Sequence, residues 1–180
     1  MRLRTFSRAA AVAVAIAAAA TVTATAPALA DEGPAGPEPW LPYEATDFVS
    51  PAGRYCDFAL SVSAVEDEEE YRVVSRYPDG AVRVYEYRGK LITRFTNVAT
   101  GESVTRDLSG HAWTEMYPDG QTMKTFTGIG PFGFGFREAD PYPRGYYRLD
   151  GLHVITIDED GTRRLPVAVG DAENICTVLG

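Results

Sequence analysis

Hairpin signals are the feature that most limits what this chain can fold into. The strand-like run at 71–77 (YRVVSRY) is followed by Pro78-Asp79-Gly80 and by a second run at 81–87 (AVRVYEY). The same tetrapeptide, YPDG, returns at 117–120, again between two strand-like runs. Proline at the second turn position and glycine at the fourth suit a type I turn with a bulge, so each tetrapeptide predicts a β-hairpin.

Strand-like runs extend through most of the chain and predict an all-β fold. They are separated by turn signals such as Arg88-Gly89-Lys90 and Asp160-Gly161. This spacing indicates about nine or ten antiparallel strands. Consecutive hairpins favour a meander, and a sheet of this many strands can remove its exposed edges by closing into a barrel. We therefore expect a barrel-like domain, with a two-sheet β-sandwich as the alternative. The run EDEEE at 66–70 is expected to end the first strand, and Asp171 to cap a short C-terminal helix.

The first thirty residues have the pattern of a secretory signal peptide. A basic start is followed by an apolar stretch over 9–26 and by the cleavage motif Ala28-Leu29-Ala30. No later segment approaches the ~18 apolar residues of a membrane-spanning helix. We therefore predict a secreted, extracellular protein that begins at Asp31 and has no membrane association after cleavage.

The rest of the chain divides by composition into a leader and a domain. Residues 31–50 are rich in proline, which lacks the N–H group that helices and sheets use, and are predicted to be a flexible leader. Trp40, Leu41 and Tyr43 are the residues expected to dock this leader or to bind a partner. Residues 51–180 are predicted to form a single all-β domain.

The charge of the chain excludes two classes of partner. The net charge of −8 becomes −11 when Arg2, Arg4 and Arg8 leave with the signal peptide. An acidic protein is repelled by nucleic acid phosphates and by anionic lipid heads. The expected partner is an extracellular protein or a small molecule, and the sequence indicates no particular oligomeric state.

Cys56 and Cys176 are predicted to form a disulfide, because paired thiols in an exported protein usually oxidise. Their separation does not match a C-x-x-C redox motif, which favours a structural role. The chain-entropy model assigns a loop of this length a stabilisation on the order of 4–5 kcal/mol.

The run TGIGPFGFGF at 127–136 predicts a strand with two unlike faces. Alternation places Phe132, Phe134 and Phe136 on one face and Gly133 and Gly135 on the other. The phenylalanine face is expected to pack a core or to line a pocket. The glycine face permits strong curvature or close approach of another group. Although the run contains G-x-G-x-x-G, it lacks the βαβ context of a nucleotide loop.

Aromatic and basic residues are concentrated after this strand. One interpretation is a core strand followed by a surface loop. The other is a binding mouth, in which rings provide apolar contacts and arginines such as Arg137 and Arg148 bind an anionic group. The candidate ligand-binding residues are Phe132, Phe134, Phe136, Tyr142, Arg144, Tyr146 and Tyr147.

No catalytic or metal-binding motif is recognisable, so no catalytic residue, metal ligand or cofactor is predicted. His111 and His153 are the two histidines, and Ser109 and Asp107 lie too close to His111 in sequence to indicate a triad. The acidic runs 66–70 and 158–160 leave weak calcium binding open, but neither matches an EF-hand loop.

Several short runs resemble a group of small secreted all-β proteins of actinobacteria. They are 97–105 (NVATGESVT), 107–110 (DLSG), the PDG turns, 127–132 (TGIGPF), Asp150-Gly151 and a closing cysteine near Leu179. The group is known only as an uncharacterised family, so the resemblance implies secretion and an all-β fold but no activity.

Three functions are therefore expected, in this order. The first is a secreted, non-enzymatic binding or interaction module. The second is a lipocalin-like carrier of a small apolar ligand, with a cavity behind the phenylalanine row. The third is an extracellular enzyme of unrecognised type, for which His111 and His153 are the best candidates.

Overall fold

The alternating runs fold into a single antiparallel sheet of ten strands, and one short helix follows it. The computed structural model describes residues 36–180, so the predicted signal peptide at 1–30 lies outside the described residues. The strands are β1 (Leu41–Pro42), β2 (Phe48–Ser50), β3 (Leu60–Arg76), β4 (Val82–Asn97), β5 (Ser103–Asp107), β6 (His111–Met116), β7 (Met123–Ile129), β8 (Phe132–Phe136), β9 (Gly145–Ile157) and β10 (Arg163–Asn174), and the helix is α1 (Ile175–Leu179). The predicted all-β antiparallel fold is confirmed.

The two YPDG tetrapeptides form hairpin turns, as predicted. Gly80 and Gly120 each donate a backbone hydrogen bond to the tyrosine that opens the turn, both at 2.9 Å. Both glycines have positive φ values, of 89° and 65°, a conformation that other residues rarely adopt. These turns connect β3 with β4 and β6 with β7.

Two long strands organise the sheet, because β4 and β9 each pair with two successive neighbours along one edge. The first part of β4 pairs with β6 and the second part with β5. In the same way, β9 pairs with β8 and then with β7, while β10 lies along its other edge. The order of strands is β1-β3-β4-β6-β7-β9-β10, and this pairing does not close into a ring within residues 36–180.

The acidic run at 66–70 does not end a strand, contrary to the sequence prediction. β3 continues through it, and an irregularity between Ala64 and Glu66 shifts the register. Successive side chains along the strand then point to opposite faces, so that alternate residues share a face. On the outer face, Glu66 pairs with Lys90 and Glu70 pairs with Arg88, so the neighbouring strand neutralises part of the acidic run.

The strand predicted over 127–136 is interrupted. Its first part belongs to β7, Gly130 takes a φ of 83°, and β8 begins at Phe132. The phenylalanine face of β8 packs into one hydrophobic core with Tyr147, Leu149 and Ile155. Its glycine face looks toward a second core, which contains Tyr55, Leu60, Val62, Phe95, Leu108, Ile175 and Leu179.

The C-terminal helix is held at both ends and by the predicted disulfide. Cys56 and Cys176 are bonded, with their Cα atoms 5.2 Å apart and a sequence separation of 120. The helix starts later than predicted, because Asn174 is its N-cap and Asp171 lies within β10. At the other end, the Asn97 side chain donates a 3.0 Å hydrogen bond to the carbonyl of Leu179.

Residues 36–50 run beside β3. β1 and β2 both pair with it, and the guanidinium groups of Arg72 and Arg88 lie over the Trp40 ring. The division into a leader over 31–50 and a domain over 51–180 stays a prediction. None of the helices in the described part of the chain is long and apolar enough to cross a membrane.

Candidate functional site

The inner face of the sheet lines an open-sided cavity of about 430 Å³. Side chains from strands that are not hydrogen-bonded to each other meet there, which requires the sheet to curve. Phe95 of β4 and Tyr146 of β9, for example, have ring centroids only 5.4 Å apart. The segment 43–48 supplies part of the wall. This segment is held beside β3 by a 2.8 Å hydrogen bond that Tyr43 N donates to the carbonyl of Glu69.

Most of the cavity wall is apolar. Side chains from seven strands contribute, because alternate residues of each strand point inward. The main apolar lining residues are Val62, Leu91, Leu108, Ala112, Met123, Phe126 and Phe132. Such a surface favours contact with hydrocarbon or aromatic groups, and a small number of polar groups then determines how a ligand is oriented.

Thr114 is the polar residue in this wall with the most unusual surroundings. Thr114 is only 3 % exposed, and its hydroxyl has no hydrogen-bond partner of normal geometry among the described residues. The hydroxyl does lie near enough to Tyr87 to act on the pKa of that phenol, which burial chiefly raises to about 12. A buried hydroxyl without a good partner costs about 1–3 kcal/mol.

Glu69 brings a carboxyl group to the same cavity. Its side chain takes part in none of the hydrogen bonds or ion pairs found among residues 36–180. Burial, together with the nearby charge of Asp67, raises the pKa of Glu69 from 4.5 to about 7. Burial also raises the pKa of Tyr43, and the charges of Glu69 and Asp67 raise it further.

The polar part of the cavity wall is acidic and aromatic. Asp47 and Glu69 contribute carboxyl groups, and Tyr43, Tyr87 and Tyr146 contribute rings. No lysine, arginine or histidine belongs to the wall as far as the structure describes the chain. The electrostatic environment therefore disfavours a ligand anion and favours neutral or positively charged groups.

The seven candidate ligand-binding residues do not form one site. Phe132 and Tyr146 line the cavity. Phe134, Phe136, Tyr142 and Tyr147 instead pack together in the core beneath β8. The ring of Tyr142 lies 4.6 Å from that of Phe136, which makes this tyrosine part of the packing.

The arginines near this loop are bound by acidic groups. Arg144 forms ion pairs with Asp57 and Glu138 and lies beside a second pocket, of about 390 Å³, next to the disulfide. Arg137 bonds to the buried Asp140, and Arg148 bonds to Asp150 at 2.7 Å. These partners leave little capacity for the anionic ligand that a binding mouth would require.

The two histidines lie on opposite faces of the sheet. His111 is in register with Ile129, and Ile129 is in register with Leu152, so these three side chains share one face. His153 is the next residue after Leu152 along β9 and therefore points to the other face. On the outer face, Nε2 of His111 lies 2.7 Å from a carboxylate oxygen of Glu86. On the inner face, His153 is 1 % exposed and its Nδ1 has no partner among the described residues. The structure does not bring the two together.

The acidic runs do not assemble a cation site. Glu66 and Glu70 bind basic side chains, and Asp158 binds Arg164. No group of three or more His, Cys, Asp or Glu side chains suited to a metal ion occurs in residues 36–180. Calcium binding therefore gains no geometric support from this part of the chain.

Comparisons with protein-family models, with curated proteins and with solved structures found no match to this chain. The resemblance to secreted actinobacterial proteins accordingly stays an expectation from the sequence.

Proposed function

We propose that this protein binds a small, largely apolar molecule and carries or senses it without chemical conversion. The observation that carries the proposal is a cavity of about 430 Å³ with apolar walls and one buried hydroxyl that lacks a good partner. Pockets for small ligands commonly measure about 300–1,000 Å³ and combine apolar walls with few polar groups. This function corresponds to the apolar-ligand carrier expected second from the sequence.

The arrangement of the cavity supports a barrel-like enclosure of the ligand, although strand pairing does not close the sheet. The segment 43–48 covers part of the side that the strands leave open. The ring centroids of Phe48 and Tyr146 are 6.3 Å apart there. The proposal places ligand binding outside the cell because the sequence predicts a signal peptide over residues 1–30.

The proposal is tested by titrating the purified protein with N-phenyl-1-naphthylamine, a neutral dye that fluoresces in apolar sites. We expect saturable binding to the wild type and at least a tenfold weaker affinity for Ala112→Leu, whose longer side chain occupies the cavity. Ala99→Leu is the matched control, because Ala99 is exposed in a turn. Dye binding that is equal in all three proteins would contradict the proposal.

A second candidate function, an interaction module for another protein, is favoured by an exposed apolar row. Ile129, Leu152 and Val169 lie side by side on three paired strands and are 49 %, 40 % and 61 % exposed. Exposed apolar patches of this kind are common at protein interfaces. Replacing Leu152 by Ser tests it: an interaction module loses affinity for its partner, whereas a carrier keeps full dye binding.

A further inference from the structure

We infer that the cavity selects an elongated ligand with a positively charged head, which lies against Glu69 and beside the rings of Tyr43 and Tyr87. This inference rests on the proposed function and specifies its ligand class: an alkyl or aryl ammonium compound. An alkyl carboxylate of the same length is disfavoured.

The charge of the cavity wall is the first argument. Glu69 and Asp47 face the cavity, and no basic residue of the described chain does so. A carboxylate head would be placed near like charges in a partly desolvated site, whereas an ammonium head would gain attraction there. The Glu69 carboxyl has no cation of the described chain as a partner, so a ligand can supply one.

The aromatic rings around Glu69 are the second argument. Tyr43 and Tyr87 meet nearly at right angles, with ring centroids 5.3 Å apart and an interplanar angle of 77°. Two rings in this arrangement form adjacent walls of a corner. Aromatic walls attract alkylammonium groups through the negative faces of their π-systems, and a nearby carboxylate adds to that attraction.

Thr114 is the third and independent argument, and it indicates the length of the ligand. Glu69 pairs in register with Gly89, and Thr114 pairs with Tyr85, four positions away along β4. Four residues of an extended strand span about 13 Å, and the step from β3 across β4 to β6 adds about 10 Å at right angles to the strands. A ligand with its head at Glu69 therefore needs a body of this order to reach the Thr114 hydroxyl, which lies near the Tyr87 phenol and has no partner of normal hydrogen-bond geometry among the described residues.

Ionisation of Glu69 makes the selectivity depend on pH. The titratable groups around it are Asp67 and Tyr71 on the same face of β3, Tyr43 on the covering segment and Tyr87 on β4. Because burial and Asp67 raise the pKa of Glu69 to about 7, the carboxyl is mostly protonated at pH 6 and mostly ionised at pH 8. The affinity for a permanently charged ammonium compound should therefore rise between these two pH values.

The experiment compares three probes with the same chain of twelve carbons: dodecyltrimethylammonium, dodecanol and dodecanoate, each below its micellar concentration. Each probe displaces N-phenyl-1-naphthylamine from the full-length mature protein at pH 6 and at pH 8. At pH 8 we expect the ammonium compound to bind about tenfold more tightly than dodecanol, and dodecanoate to bind least well. At pH 6 this preference should shrink.

Two matched variants test the assignment to Glu69. Glu69→Gln should remove most of the preference for the ammonium head and its dependence on pH. Glu68→Gln removes the same charge from the neighbouring, exposed residue on the other face, so it should leave the preference unchanged. This control also measures non-specific attraction of a cation to an acidic protein.

The possible failures are distinguishable. If none of the three probes displaces the dye, the proposed function itself fails. If all three displace it with equal affinity, or if Glu69→Gln keeps the ammonium preference, the cavity binds apolar molecules and the inference about the head group is wrong. The ranking of probes by the wild type decides the question even if the variant does not fold.

Discussion

Replacing Gly135 by alanine should destabilise the protein through a single aromatic ring. An added Cβ would lie 2.6, 2.7 and 2.9 Å from three ring carbons of Tyr55. Real Cβ atoms do not approach carbon atoms so closely, so either the strand or the ring has to shift. The backbone at Gly135 is not left-handed, and any loss of stability therefore reports the packing alone.

The size of the effect follows from how firmly Tyr55 is held. The residue is 8 % exposed, its ring contacts that of Tyr146 at 5.8 Å, and Arg163 donates a 3.2 Å hydrogen bond to its hydroxyl. Overpacking costs about 1–3 kcal/mol, and alanine recovers about 0.5–1 kcal/mol of strand stability relative to glycine. We expect a net loss of about 0.5–2 kcal/mol, or a fall in Tm of about 1–8 °C.

Thermal unfolding followed by circular dichroism, with the disulfide intact, measures this change. Gly36→Ala is the control, because no heavy atom lies within 4 Å of the Cβ position at Gly36. In a double-mutant cycle with Tyr55→Leu, the second substitution should relieve part of the loss. A Gly135→Ala protein as stable as the wild type, or strict additivity in the cycle, would refute the close-packing argument.

Three further predictions concern stability. Replacing both Cys56 and Cys176 by serine should lower the free energy of unfolding by up to about 4–5 kcal/mol in urea titrations, because the disulfide closes a loop of 120 positions. Burial acts to raise the pKa of Asp140, but hydrogen bonds from Arg137 and Arg163 outweigh it and lower the pKa. The stability from this carboxylate is present above its usual pKa of 3.8 and is lost on acidification, so Asp140→Asn should be less stable at pH 7 and should lose less stability than the wild type below about pH 4. The pH dependence of stability that Glu69 causes has the opposite sign, because its raised pKa makes the wild type lose stability as the pH rises from 4.5 to about 7. In urea titrations, Glu69→Gln should therefore be more stable than the wild type at pH 8 but not at pH 4.

The parts of the fold that the sequence predicts well are those with local causes. The YPDG turns follow from the φ preferences of proline and glycine, which operate within four residues. The long β3 strand does not have a local cause. A run of acidic residues indicates a break when the strand is considered alone. Lys90 and Arg88, which stabilise it, come from the neighbouring strand.

The glycines of β8 show what a pattern can and cannot predict. Alternation correctly assigns Gly133 and Gly135 to one face and permits close approach there. Tyr146 and Tyr55 are the residues that approach, and they lie on other segments, one of them an irregular loop. Nothing in the local sequence indicates which side chain fills the space left by a glycine.

The candidate site was the least predictable feature. The density of aromatic residues predicts a site in the segment 132–147, yet Phe132 and Tyr146 are its only candidate residues in the described cavity wall. Glu69 and Thr114 were missed because an inward direction becomes visible only when register and the irregularity in β3 are known. The available sequence signal is the alternation along 67–71, which places the Glu69 side chain on the same face of the strand as the aromatic ring of Tyr71.

The most direct test of the account is an amide NMR titration of residues 31–180 with dodecyltrimethylammonium at pH 8. We predict saturable shifts at residues of the cavity wall, with those of Glu69, Tyr87 and Thr114 among the largest. The affinity obtained should agree with that from dye displacement. Shifts confined to the exposed row of Ile129, Leu152 and Val169, or no saturable shift at all, would contradict ligand binding in the cavity.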